Sequence, residues 1–375
     1  MPSGVVPRWG YQVMKPNTTL LMNTVLCRPD DTWVILDRQG EVLRSGSDIN
    51  AYARDLFEGY CRHNATQGED TRQFADGRYA FALLPGEYWL DLDIGYYTSL
   101  LGLGQKPDDV VIHGKVEVPN SANGKALDNF WRSCEGVTIH VGGDGRNHWR
   151  VSQAAPFRRN VVHGTLVFGQ STPDELGYAS GGFVGECAVR GVGDRPGRID
   201  MGTQQQFYVG STEFDELRGG SWNFLMAGTR SGPISDREMI QGGKLNTCRG
   251  PIESMAAKPY LMARGPDEFE LVVPKFHSQV EGPPSYDDGS VTKTKRFTIV
   301  DPEVSVEEVN EALSDGYSVV FSPGIYRYPQ PLEVFRPGTV LLGLGLATLV
   351  PTQGTAAIIV DAAGCRVAGL MIQAG

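Results

Sequence analysis

The sequence has no CxxC pair, no run of 18 apolar residues and fewer basic than acidic side chains. Each absence closes a class of function. The cysteines (Cys27, Cys61, Cys134, Cys187, Cys248 and Cys365) are widely spaced, so a structural zinc site is not expected. Their even number permits disulfides, but buried free thiols fit the spacing better. Without a long apolar run there is no membrane-spanning helix. Lys and Arg total 34 against 44 Asp and Glu, a net charge of −10. Nucleic acid or an anionic membrane would call for a basic face, so neither is expected as a partner. The N-terminus shows no basic stretch followed by an apolar core, so no secretory signal is read there. Asp91 and Asp93 share a strand face, but nothing nearby completes an oxygen cage, and no metal or cofactor is expected.

What the chain does have is glycine and β-forming residues. Gly numbers 47 and aromatics make up 9% of 375 residues, which indicates turn-dense β structure. The phrase LLGLG occurs at Leu100–Gly104 and again at Leu341–Gly345, each time downstream of Pro-Gly-x-Tyr. Pro85, Gly86 and Tyr88 correspond to Pro323, Gly324 and Tyr326 with their mutual spacing unchanged. A helix is expected over Asp48–His63, where Ile49, Tyr52, Ala53, Leu56, Phe57, Tyr60 and Cys61 form one apolar stripe. A second is expected over Val304–Leu313, where Ser305 and Glu308 have capping-box spacing. LLGLG is not a nucleotide loop, because GxGxxG spacing and a following helix are both missing.

Between the two copies, short apolar strands start at Val137, Val161, Phe183, Gln205 and Trp222, at a near-constant interval. That interval suits one coil of a parallel β-helix. Leucine-rich repeats would show LxxLxLxxN, and a propeller needs about 40 residues per blade. The expected fold is therefore all-β, a right-handed parallel β-helix in two modules, each started by a capping α-helix. The division is a β-rich lead-in over 1–47, a first module over 48–273, a linker over 274–295 and a second module over 296–375. The second module is expected to be truncated, with an open end that self-associates or takes a partner.

The runs NFWRSCEGVTI (Asn129–Ile139), WRVSQAAPFRRNVVHG (Trp149–Gly164), YASGGFVGE (Tyr178–Glu186), GTQQQFYV (Gly202–Val209), GGSWNFLMAG (Gly219–Gly228) and PGTVLLGLGLATLVP (Pro337–Pro351) resemble a group of fungal and actinobacterial β-helix proteins. Misleading names, such as coagulation-factor-type or adenylyl-cyclase protein, are often attached to them. The group looks related to the pectate-lyase-like superfamily, near the twin β-helix exo-β-1,3-glucanases. The resemblance covers roughly residues 75–375 and implies a β-helix fold, a carbohydrate ligand and an extracellular setting.

A glycan-cleaving β-helix needs carboxylates on its outer face. Glu186, Asp200, Asp215 and His163 are the catalytic candidates, since coils of equal length would set His163 in one column with Glu186 and Tyr208 as an acid/base line. The plainer alternative is a set of solvent-facing rungs that satisfy one another. Sugar binding calls for flat rings beside polar groups, which nominates Trp131, Arg132, Trp149, Tyr178, Trp222 and Asn223. Arg158 is a candidate for acidic sugars and Gln204 for a sugar hydroxyl, although core packing is the alternative for the aromatics and a structural role is the favoured reading for Gln204. Trp149 is expected to be exposed. The expected function is polysaccharide binding or glycoside hydrolysis, with a non-catalytic glycan-binding or assembly role as the alternative.

Overall fold

Val25, Phe81, Leu100, Cys134, Phe157, Val184, Val209 and Met226 stand opposite one another on successive parallel strands, and all are buried. This column is one inner wall of a β-helix. The opposite wall carries Tyr88, Ile112, Ile139, Val162 and Val189, again in register and buried. Strand alternation turns every second side chain inward, so the alternating apolar residues of the sequence become a continuous core. The computed structural model describes residues 23–37, 40–61, 73–119, 126–169, 171–172, 175–176, 178–231 and 245–375. It is nearly all β, as expected.

The coil bends between its two walls at Gly136, Arg159, Glu186, Ser211 and Gly228, all at positive φ between 47° and 76°. Those bends are unevenly spaced, with the longest step from Arg159 to Glu186 and the shortest from Ser211 to Gly228. Glycine takes this conformation freely, whereas an L side chain is strained by about 1–2 kcal/mol. Arg159 and Glu186 are therefore held there by their surroundings.

Thr24–Cys27 pairs in parallel with Tyr79–Leu83, which joins the lead-in to the first stack. Thr32–Leu36 and Val42–Ser47 form an antiparallel hairpin, with Arg38 and Gln39 of its turn outside the described residues. Helix α1 (Ile49–Leu56) is capped by Asp48, whose carboxylate accepts from Ala51 N, and it buries Ile49, Ala53 and Leu56. The Asn50 amide donates to Trp89 O and accepts from Asp91 N, on the edge of strand Gly86–Asp93. Helix α2 (Val306–Ser314) has the expected capping box at Ser305 and Glu308. Its Asn310 makes the same pair of bonds, to Pro331 O and from Glu333 N. In both places a side-chain amide substitutes for a missing neighbour strand.

The duplication extends further than the motif. Tyr88 Oη donates to Leu84 O at 2.7 Å and lies 3.0 Å from Cys27 O. Tyr326 Oη lies 2.9 Å from both Ser322 O and Val300 O, the equivalent carbonyls. A Cβ on Gly86 or Gly324 would fall 2.3 Å from the ring of Pro29 or Pro302, so both turns need glycine.

The two stacks share a third cluster. Every side chain of Ala80–Leu83 is buried, Phe81 and Leu83 inside the coil, Ala80 and Ala82 against the second stack. Leu101, Val320, Leu342 and, from a hairpin at Tyr260–Pro274, Phe269 fill the same layer. Arg78 crosses it, donating to Thr348 Oγ1 at 2.9 Å. The 274–295 segment, expected as a linker, carries strands Phe276–Val280 and Val291–Thr294 and buries Tyr286.

On the outside of the second wall, Trp89, His113, His140, His163 and Arg190 occupy one column. The rings stack at 5.0, 5.3 and 4.3 Å between centroids. Burial lowers the His163 pKa, and His140 and Arg190 lower it further, against a smaller upward pull from Asp108. Glu87 faces His113 at 3.1 Å.

Removing the hydroxyl with Tyr326→Phe should cost about 1 kcal/mol in urea unfolding. The loss stays small because Val300 O keeps its bond from Ser322 N. The folded state prefers neutral His163, while the unfolded chain takes up a proton near pH 6.5. Stability should therefore be full above about pH 6.5 and decline as the pH falls below it. The variant His163→Phe keeps the stack and removes the titration, and should flatten that acid limb in urea titrations.

Candidate functional site

Alternation turns Phe183, Tyr208 and Leu225 outward from three adjacent strands of the first wall. Phe183 and Tyr208 stack at 4.8 Å between centroids with planes 25° apart. Each ring leans along its own strand over the glycine at the next outward position. A Cβ on Gly185 would lie 2.8 Å from the Phe183 ring, and one on Gly210 only 2.0 Å from Tyr208 Oη. Gln206 and Asn223 are paired in register on the same face. Gln153 donates to Gln206 Oε1 at 3.0 Å and to Ser180 O at 3.2 Å, which fixes both amides. Together these residues line an open groove of about 520 Å³, floored by Ala154, Gly181 and Gly182.

A second cavity of about 520 Å³ lies beside it, where the first wall faces the second stack. Ser99, Ser133, Glu135 and Arg158 line one side, Lys258 and Arg366 the other. Glu135 is paired with Lys258 at 2.5 Å. Burial would raise the Glu135 carboxyl, but Lys258, helped by Arg158 and Arg159, holds it below the usual carboxylate range. Glu135 is the one carboxylate among the described residues lining either cavity. Among the described residues, no group of three or more His, Cys, Asp or Glu is placed to hold a metal ion.

The expected sites divide three ways. Asn223 lies in the groove and Arg158 in the cleft, its guanidinium 4.8 Å over the Phe183 ring. Trp222 is exposed next to Asn223 but outside the groove. Trp131 is partly exposed and stacks on Tyr97 at 5.4 Å. The Tyr178 backbone pairs with Thr203, and its side chain lies outside the described residues.

The remaining assignments need correction. Trp149 is fully buried, its indole donating to Ala155 O, because it faces the coil interior against Phe157. Arg132 is buried over the Tyr96 ring and donates to Ile94 O and Phe130 O, which places it out of reach of a sugar. Gln204 is buried with its amide on Met201 O, and Gln206 takes the groove position. His163, Glu186 and Tyr208 do not form a column, because the bends are not evenly spaced. His163 is on the second wall, Tyr208 on the first, and Glu186 at the bend between them.

None of the four catalytic candidates lines the groove or the cleft. Asp200 is buried, accepts from Gly202 N and faces Arg146 at 3.6 Å. Asp215 accepts from Gly197 N at 2.7 Å, and its own N–H donates to Gly197 O, tying two successive coils. Glu186 is buried against Arg158 and Tyr286. Phe183, Gln206, Gln153 and Glu135 were not singled out by the sequence. For Phe183 the signal was an aromatic-x-Gly recurring on successive coils, Phe183-x-Gly185 and Tyr208-x-Gly210; Gln206, Gln153 and Glu135 carried none.

Comparison with known proteins agrees with this architecture. Residues 297–375 match the LAM55 pectate lyase-like domain. An exo-β-1,3-glucanase from Streptomyces sp. (strain SirexAA-E / ActE) is 35% identical over 313 residues, 82% of this chain and 49% of the relative. The chain thus spans about half the length of that curated relative. The solved structure of sacteLam55A from Streptomyces sp. SirexAA-E superposes with a TM-score of 0.79 at 31% identity, covering 96% of this chain and 60% of that one. A variant of sacteLam55A in complex with glucose gives 0.77 at 30% identity, covering 95% and 59%. By its coil register, its LAM55 match over residues 297–375 and these relatives, the chain is similar to pectate-lyase-like β-helix proteins.

Proposed function

We propose that the groove binds a glucan-type polysaccharide, and that the chain contributes this face to a glycoside hydrolase of the exo-β-1,3-glucanase kind. The observation that carries the reading is the stacked Phe183–Tyr208 pair, flanked by immobilised amides. The apolar face of a pyranose packs against such rings, while Gln153, Gln206 and Asn223 meet its hydroxyls. The similarity to an exo-β-1,3-glucanase supports glucan over other polysaccharides.

Cleaving a glycosidic bond takes a proton donor and a second carboxylate acting as base or nucleophile. Glu135, held ionised by Lys258, suits the second role and not the first. No groove residue is assigned as the proton donor. The same reading includes the architecture: two right-handed stacks side by side, α1 and α2 each closing a first coil through Asn50 and Asn310.

Affinity gels containing β-1,3-glucan, followed by calorimetric titration with its oligosaccharides, test this directly. The chain should be retained, and Phe183→Ala should weaken binding about ten-fold, a loss of ~1.4 kcal/mol. Passage of the folded wild-type chain without retardation would end the reading.

A further inference from the structure

We propose that Tyr286, on the segment joining the two stacks, is a positioning residue that orients the sugar-stacking ring of Phe183 through Glu186 and Arg158. This rests on the reading of the groove as a sugar site and adds a distant residue that tunes it.

The contacts are continuous. Tyr286 Oη donates to Glu186 Oε2 at 3.1 Å. The other carboxylate oxygen of Glu186 is bonded to Arg158 Nη1. The Arg158 guanidinium lies 4.8 Å over the Phe183 ring, and Phe183 in turn stacks on Tyr208. A carboxylate with 3% of its residue exposed and one bound guanidinium still has an oxygen to satisfy. Tyr286 supplies that bond, which fixes the carboxylate plane and hence the Arg158 head group.

The surroundings leave Arg158 few other resting places. Gly185, its partner in register, presents no side chain, and the Phe183 ring fills that space. Glu135, its partner on the other side, is engaged by Lys258. Glu186 itself sits at φ 59°, a strained conformation that its two bonds must maintain. Arg159, the next residue to Arg158, lies 3.7 Å over the Tyr260 ring and 5.5 Å over the Tyr286 ring, face contacts that Tyr286→Phe retains.

The test compares Tyr286→Phe with Tyr260→Phe, which removes a hydroxyl from the same buried cluster that bonds Gln105 O. In calorimetry with a β-1,3-glucan oligosaccharide, Tyr286→Phe should raise Kd about five-fold, less than the full worth of one bond to a charged group because the effect reaches the sugar indirectly. Tyr260→Phe should lower the melting temperature and leave Kd unchanged. In a Phe183→Leu background, Tyr286→Phe should add nothing, because the ring it acts through is gone. An equal effect in both backgrounds, or an unchanged Kd, would overturn the proposal.

A ligand-free arm keeps this separate from the sugar reading. The crystal structure of Tyr286→Phe should show the Arg158 guanidinium displaced from the Phe183 ring. An unmoved guanidinium refutes the positioning role whether or not glucan binds.

Discussion

An ion pair at a coil bend, partly exposed Arg158 with buried Glu186, is the constraint around which the rest of this molecule is arranged. A carboxylate removed from water loses several kcal/mol of solvation, and recovers it only when its remaining hydrogen-bonding capacity is met. The chain meets it from both directions. The first stack supplies the bend and the Phe183 face, while the segment leading to the second stack supplies Tyr286, with Tyr260 on neighbouring Arg159. A stretch rich in proline, glycine and serine is thereby tied down, and the groove beside it acquires a fixed wall.

That wall is what a glucan-binding reading requires. Ring stacking gains little if the ring itself is mobile, since the ordering entropy is then lost on binding. Phe183 is confined by Gly185 beneath it, Tyr208 beside it and Arg158 above it. The amides of Gln153 and Gln206 are bonded to each other, so the polar side of the groove is equally preset. On this reading, function is a matter of preorganised binding, with Glu135 the one carboxylate among the described residues that lines either cavity.

Much of the fold was legible because it obeys local rules. The alternating apolar strands, the capping box of α2 and the duplicated Pro-Gly-x-Tyr all reflect backbone requirements within a few residues. The site was less legible, because it depends on which side chains different coils bring together. Coils of equal length would place His163, Glu186 and Tyr208 in one column, whereas the unevenly spaced bends at Gly136, Arg159, Glu186, Ser211 and Gly228 separate them. Trp149 shows the same limit: next to an arginine it looks like a surface ring, yet its position in the coil turns it into the core. Asn50 and Asn310 carried no sequence signal at all, since an asparagine on a helix gives no hint of the strand edge it will meet.

The most direct measurement is a crystal structure of this chain soaked with a β-1,3-glucan oligosaccharide. The account predicts a sugar ring packed on Phe183 and Tyr208, with hydroxyls bonded to Gln153, Gln206 and Asn223. A sugar seated elsewhere on the molecule, with the groove holding only water, would contradict it.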